Sequence, residues 1–252
     1  PNSHLLFAGD EWWFYGPRIK AGDMVRNERV PFDYTVKETG FGPTCFQRGD
    51  NNYSNQHGEP IAKQRSTALR YNAHAGGSAV NEADFADPEW TDEELDDVEK
   101  RAFTWVQMLH DLGHKERWWD DVNVGDQLPE RVFGPHSIAS FTTEYRAFIF
   151  NIKYARRIGM PRGYGYGASM GSWVTDFLSG WAGEHGMVVH SVANYRGPAL
   201  TGDITIQTAE VTEKSVDDEG RHLVHVKHLM TNQRSVKMCL GTAEIALPKK
   251  PA

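Results

Sequence analysis

The chain has 252 residues, with 27 Lys and Arg against 34 Asp and Glu, a formal charge of −7 and a pI near 5.9. That balance argues against a nucleic-acid partner, which would call for a basic excess; no apolar run approaches the ~18 residues of a membrane span. Two cysteines, Cys45 and Cys239, are too few for a disulfide framework, so a cytoplasmic setting is expected, and 39% apolar residues suffice for a real core.

The predicted elements begin with four strands, at about 9–16, 23–38, 43–55 and 60–72. A small-residue stretch, 73–79, then leads into an acidic segment. From Glu82 to Glu99 there are ten acidic residues and no basic one. Without that segment the chain has 24 acidic against 27 basic residues, so the negative charge belongs to one stretch. Thr91 followed by Glu94 fits a capping box, and the acids suit the first turn of a helix. Leu95, Val98, Ala102, Trp105, Val106 and Leu109 recur at helical spacing, and Gly113 ends the run. A helix is therefore predicted over 91–112, inside a connection spanning 73–116. His110 and His114 straddle Gly113 at a helix end and lack a Glu in the metalloprotease position, so no metal site is expected.

The remainder, 117–252, reads as a second unit. Met170, Trp173, Val174, Phe177, Leu178 and Trp181 form a wide apolar stripe on a helix. Gly183–Gly186 ends it, and strands follow at about 187–196, 203–214, 221–232 and 235–247. His222, His225 and His228 alternate between the faces of one strand and do not converge.

The two ends of the chain are related. Phe14-Tyr15-Gly16-Pro17-Arg18-Ile19 through Gly22-Asp23 resembles Tyr195-Arg196-Gly197-Pro198-Ala199-Leu200 through Gly202-Asp203. Asn55-Gln56-His57 matches Asn232-Gln233-Arg234 at a hairpin position. Ser66-Thr67-Ala68-Leu69 matches Gly241-Thr242-Ala243-Glu244. Each repeat holds four antiparallel strands, and the second is preceded by a long helix. The first unit, 1–72, lacks that helix in this chain, so it is expected before Pro1 or from a partner chain.

A long helix wrapped by an antiparallel sheet, present twice, reads as an α+β double hotdog fold. Arg117-Trp118-Trp119-Asp120-Asp121-Val122, Val124-Gly125-Asp126, Gly134-Pro135 and the run from Tyr154 to Gly167 resemble the second domain of MaoC-like acyl dehydratases. Asn55–Glu59 and Ala62–Thr67 resemble the N-terminal dehydratase domain of the same family. The resemblance implies a hydratase or dehydratase acting on a 2-enoyl or 3-hydroxyacyl thioester. It also implies coenzyme A as part of the substrate, no separate cofactor, and a homo- or hetero-oligomer. The family's Asp and His precede the long helix; here that segment, 148–155, offers Asn151 and Lys153 instead.

Other residues are candidates for a site. Gly165 and Gly167 lead into the helix N-terminus, where backbone N–H groups can receive a thioester oxygen or simply allow close packing. Tyr164 and Tyr166 can donate hydrogen bonds or pack. Asp176 on the helix flank is a candidate base, and Glu184 with His185 a candidate acid–base pair or a turn cap. Lys153, Arg157, Arg162 and Arg196 are candidate partners for phosphates. Two further readings stand beside the first. One is a non-catalytic subunit that binds acyl thioesters or completes a partner's site; the other is a thioesterase.

Overall fold

A computed structural model of the chain describes residues 4–72, 86–137, 155–156, 159–165 and 167–251. Its strands are β1 (His4–Phe14), β2 (Arg26–Thr39), β3 (Gly42–Ser54), β4 (Pro60–Tyr71), β5 (Arg131–Phe133), β6 (Met187–Tyr195), β7 (Thr205–Val216), β8 (His222–Thr231) and β9 (Lys237–Ala246). Two longer helices lie among the described residues, α1 (Asp92–Leu112) and α2 (Gly167–Ala182), with a short 3-10 turn at Trp119–Asp121. The strands form one antiparallel sheet in the order β2-β3-β4-β1-β6-β9-β8-β7-β5. The two hotdog sheets are thus fused edge to edge through β1 and β6.

The repeat is visible in local chemistry. The side-chain oxygen of Asn55 accepts from the N–H groups of His57 and Glu59, and that of Asn232 accepts from Arg234 and Val236. Such side-chain-to-backbone bonds fix a tight turn, and a tight turn fixes strand register. The Gln56 amide donates to Asp23 at 3.1 Å, as the Gln233 amide donates to Asp203 at 2.7 Å. Bulges recur as well, at Ala8 and Val189 and at Phe32 and Thr212. The third sequence match is out of register. Ser66 stands opposite Asp10 just as Ala243 stands opposite Ser191, so the counterpart of Ser66 is Ala243, two residues beyond Gly241.

Helix α2 buries Val174, Phe177 and Leu178 almost completely against the inward residues of β6 to β9. Polar Gln207 and Thr205 share that inward face, because strand alternation puts them in line with Ala209 and Val211. Helix α1 starts with the expected capping box of Thr91 and Glu94. It packs Trp105 on Phe177, with ring centroids 5.1 Å apart, and Val98 beside Val132 and Ile204. Val106, apolar and at helical spacing, is exposed instead. α2 lies over β6, β1 and β9; on the same face of the sheet Tyr34 and Val36 of β2 are exposed. Cys45 and Cys239 are both free thiols. Among the described residues no helix is long and apolar enough to cross a membrane.

Candidate active site

The fused sheet brings two distant residues together beneath α2. Tyr195, the last residue of β6, donates its hydroxyl to Asp10 Oδ2 at 2.6 Å, and the Gln64 amide donates to Asp10 Oδ1 at 2.8 Å. The Asn51 amide in turn donates to Gln64 at 2.9 Å. All four lie on the inward face, where alternation along β1, β3, β4 and β6 puts them. Asp10 is 4% exposed and Tyr195 8%. Burial raises the pKa of the Asp10 carboxyl, an effect that the bonds from Tyr195 and Gln64 oppose. Burial and the neighbouring Asp10 push the Tyr195 hydroxyl well above its ordinary value. Cys239, the strand partner of Tyr195, is pushed to about 12 by the same burial and has no thiolate character at neutral pH.

Helix α2 can lie this close only because residue 171 is glycine. A Cβ there would fall 2.5 Å from the Tyr195 hydroxyl and 2.9 Å from Asp10 Oδ2. One turn earlier, a Cβ at Gly167 would fall 2.5 Å from the Cβ of Phe7. A cavity of about 130 Å³ opens at this end of the helix. Leu6, Phe41, Leu69 and Met160 give it apolar walls, Tyr195 one polar wall, and the exposed Arg196 part of its lining.

Four residues singled out in the sequence line this cavity: Tyr164, Gly165, Gly167 and Arg196. Tyr164 is buried with Ala155, Met160 and Leu200. The N–H of Gly165 already donates to the Ala199 carbonyl at 2.7 Å. Arg162 lies elsewhere, 3% exposed, donating to the Thr201 carbonyl and to Asp203 at 3.0 Å. Asp176 is exposed and paired with Arg131 at 2.6 Å. Glu184 and His185 take separate partners, Glu184 with His114 Nδ1 at 2.8 Å and His185 with Glu116 at 3.6 Å. Lys153, Arg157 and Tyr166 lie outside the described residues, as do positions 148–154. Asp10 was not singled out by sequence reading, since its burial follows from the β1–β6 pairing.

The sequence profile of the FAS1-like dehydratase domain region matches residues 1–64. No curated protein sequence matches the chain. Among solved structures, a MaoC-like dehydratase is similar over 98% of this chain and 76% of its own, with a TM-score of 0.68 and 16% identity. A MaoC domain protein dehydratase from Chloroflexus aurantiacus is similar over 97% of this chain and 76% of its own, with a TM-score of 0.61 and 14% identity. A 12:0-ACP thioesterase from Umbellularia californica is similar over 98% of this chain and 74% of its own, with a TM-score of 0.52 and 9% identity. Likeness at these identities establishes the fold, and the resemblance to MaoC-like dehydratases extends from sequence motifs to the whole double hotdog.

Proposed function

We propose that this chain, with the MaoC-like double hotdog fold and a FAS1-like dehydratase sequence in residues 1–64, adds water to, or removes it from, an acyl thioester. The substrate we assign is a 2-enoyl or 3-hydroxyacyl thioester of coenzyme A. The observation that carries this reading is the Tyr195–Asp10 pair bordering an apolar cavity at the N-terminal end of α2.

Dehydration takes a proton from the α-carbon and expels the β-hydroxyl as water. The α-proton becomes acidic when the thioester oxygen is held by hydrogen-bond donors as charge builds on it. First-turn N–H groups of a helix have no partner within the helix and favour negative charge. Tyr195 is a polar group at the cavity wall, beside Tyr164 and Arg196, and Asp10 behind it can take and return its proton. In this reading the α-proton moves to the Tyr195 oxygen as the Tyr195 proton shifts to Asp10. The reverse shift lets Tyr195 protonate the departing hydroxyl, so enoyl thioester and water leave with the pair restored. A buried carboxyl whose pKa is raised is suited to this exchange. Arg196 is assigned to a coenzyme A phosphate.

The test is to follow enoyl absorbance with crotonyl-CoA and longer enoyl-CoAs, using the wild type, Asp10→Asn and Tyr195→Phe. Turnover by the wild type and its loss in both variants is expected. A folded chain inert toward every enoyl thioester removes the proposal. Thiol release without hydration supports the thioesterase reading, which the fold likeness to the Umbellularia californica thioesterase favours. Activity that appears only with a second subunit supports the non-catalytic reading.

A further inference from the structure

The hydrogen bonds on Asp10 form one directed line across the fused sheet. Asn51 of β3 stands opposite Gln64 of β4, and Gln64 stands opposite Trp12, two residues along β1 from Asp10. Ser66, directly opposite Asp10, turns its hydroxyl to the Gly49 carbonyl instead. The long side chain of Gln64 therefore reaches Asp10 on the diagonal. A side-chain amide has one donating end and one accepting end. The Asn51 amide donates to Gln64 Oε1 at 2.9 Å, so the nitrogen end of Gln64 is the one that faces Asp10 Oδ1, at 2.8 Å.

The fold itself does not ask for this line. The turns at Asn55 and Asn232 set the correspondence between repeats, and Asn51 pairs with Gln64 as His228 pairs with Gly241. His228 bonds the Val192 carbonyl at 2.9 Å and fills the space over Gly241, where a Cβ would fall 2.8 Å from its Nε2. Ser191 stands where the first repeat has Asp10. The second repeat thus builds the same strands with an imidazole, a glycine and a small hydroxyl. Two amides and a carboxyl come together only in the first repeat, against Tyr195.

We propose that Gln64, held by Asn51, is a positioning residue for the proton exchange between Tyr195 and Asp10, an inference that rests on the hydratase reading. A proton on Asp10 Oδ1 would meet the Gln64 N–H, donor against donor. The Tyr195 proton therefore enters Oδ2, and the new O–H points back at the Tyr195 oxygen. One O–H bond breaks and one forms, and the reverse shift restores both. Gln64 is neutral, so it fixes the carboxyl without locking its charge as an Arg or Lys would. Gln64 and Tyr195 favour the charged carboxyl against burial. Tyr53 and Cys239 also feel the Asp10 charge, which helps to keep both protonated.

The test follows Asp10 itself as well as turnover. Carbon-13 NMR of labelled aspartate in the full chain, with Asp10→Asn to assign the signal, gives the Asp10 titration; crotonyl-CoA hydration gives kcat and KM. Gln64→Leu removes the donor. Asn51→Asp is isosteric but cannot donate: a carboxylate there accepts from the Gln64 amide, turns it over, and presents Gln64 Oε1 to Asp10. In both variants the Asp10 midpoint should rise and kcat fall about tenfold or more, with KM within about twofold of wild type. A residue that only filled space would leave the titration where it was. Circular dichroism checks folding, and Asn51→Asp decides the matter if Gln64→Leu is not folded. An active wild type whose Asp10 midpoint or kcat is unchanged in a folded variant overturns the role of Gln64 and leaves the hydratase reading standing. A wild type inert toward enoyl thioesters overturns both.

Discussion

Glu11 of β1 stands opposite Val192 of β6, and the same two residues are each other's counterparts in the repeat. The local twofold relation between the repeats therefore passes between them. Asp10 opposite Ala193 is the mirror in sequence of Ser191 opposite Trp12. Asp10 lies one residue from this centre, which is how a first-repeat carboxyl comes to rest under the second repeat's helix.

Asp10→Asn and Tyr195→Phe should each lower kcat on enoyl thioesters by about a hundredfold or more, the usual scale of general acid–base contributions. Asp10→Asn also has a stability signature. The raised pKa means that the folded chain keeps this proton where the unfolded chain has lost it. The resulting stabilisation is present at acid pH and disappears as the pH rises through the folded value. Asn cannot ionise, so thermal melts should show the variant gaining on the wild type toward neutral pH. A constant difference in melting temperature across that range would contradict the assignment of a raised pKa.

Gly171→Ala should destabilise the fold by about 1–3 kcal/mol, the usual cost of overpacking. The new methyl meets the Tyr195 hydroxyl at 2.5 Å. Tyr195→Phe removes that hydroxyl, so the double variant should recover part of the loss. Urea denaturation of the four proteins closes the cycle. Strict additivity would show that the helix is kept close by something other than this contact.

Much of this architecture is written in local sequence. The Thr91–Glu94 box fixes the start of α1, and the spacing from Met170 to Trp181 gives the stripe of α2. The strand ends follow the turns at Asn55 and Asn232. What local patterns do not carry is the fusion of β1 to β6, since pairing between remote strands is set by packing of whole layers. Asp10 reads as an ordinary strand residue until that pairing buries it. Val106 sits in the apolar pattern of α1, yet the helix buries Val98 and Trp105 and leaves it in solvent. The slip between Ser66 and Gly241 has a similar origin. Shared Thr and Ala residues suggest one alignment, whereas the turn-defined register imposes another.

Arg162→Met tests a buried ion pair. The side chains of Arg162 and Asp203 are 4% and 1% exposed, 3.0 Å apart. Removing one partner leaves the other charge buried, at a cost of about 3–5 kcal/mol. The expected result is a large shift of the urea midpoint. A weakened affinity for coenzyme A with unchanged stability would instead return Arg162 to the list of phosphate partners.

His136 should set the acid limit of stability in the second repeat. Its ring stacks on Trp173, with centroids 5.3 Å apart, and its Nε2 lies 2.7 Å from the Thr205 hydroxyl. Burial pushes its pKa down to about 4, with Asp203 opposing. The folded chain therefore keeps this imidazole neutral where the unfolded chain takes up a proton. Stability conferred by the neutral ring is complete above the unfolded value of about 6.5 and is lost as the pH falls toward the folded one. The loss over that window is on the order of 3 kcal/mol. His136→Gln keeps a hydrogen-bonding group beside Thr205 but cannot titrate. Its unfolding free energy should start lower at neutral pH and fall less steeply between pH 6.5 and 4. Parallel curves for variant and wild type would show that another group governs the acid transition.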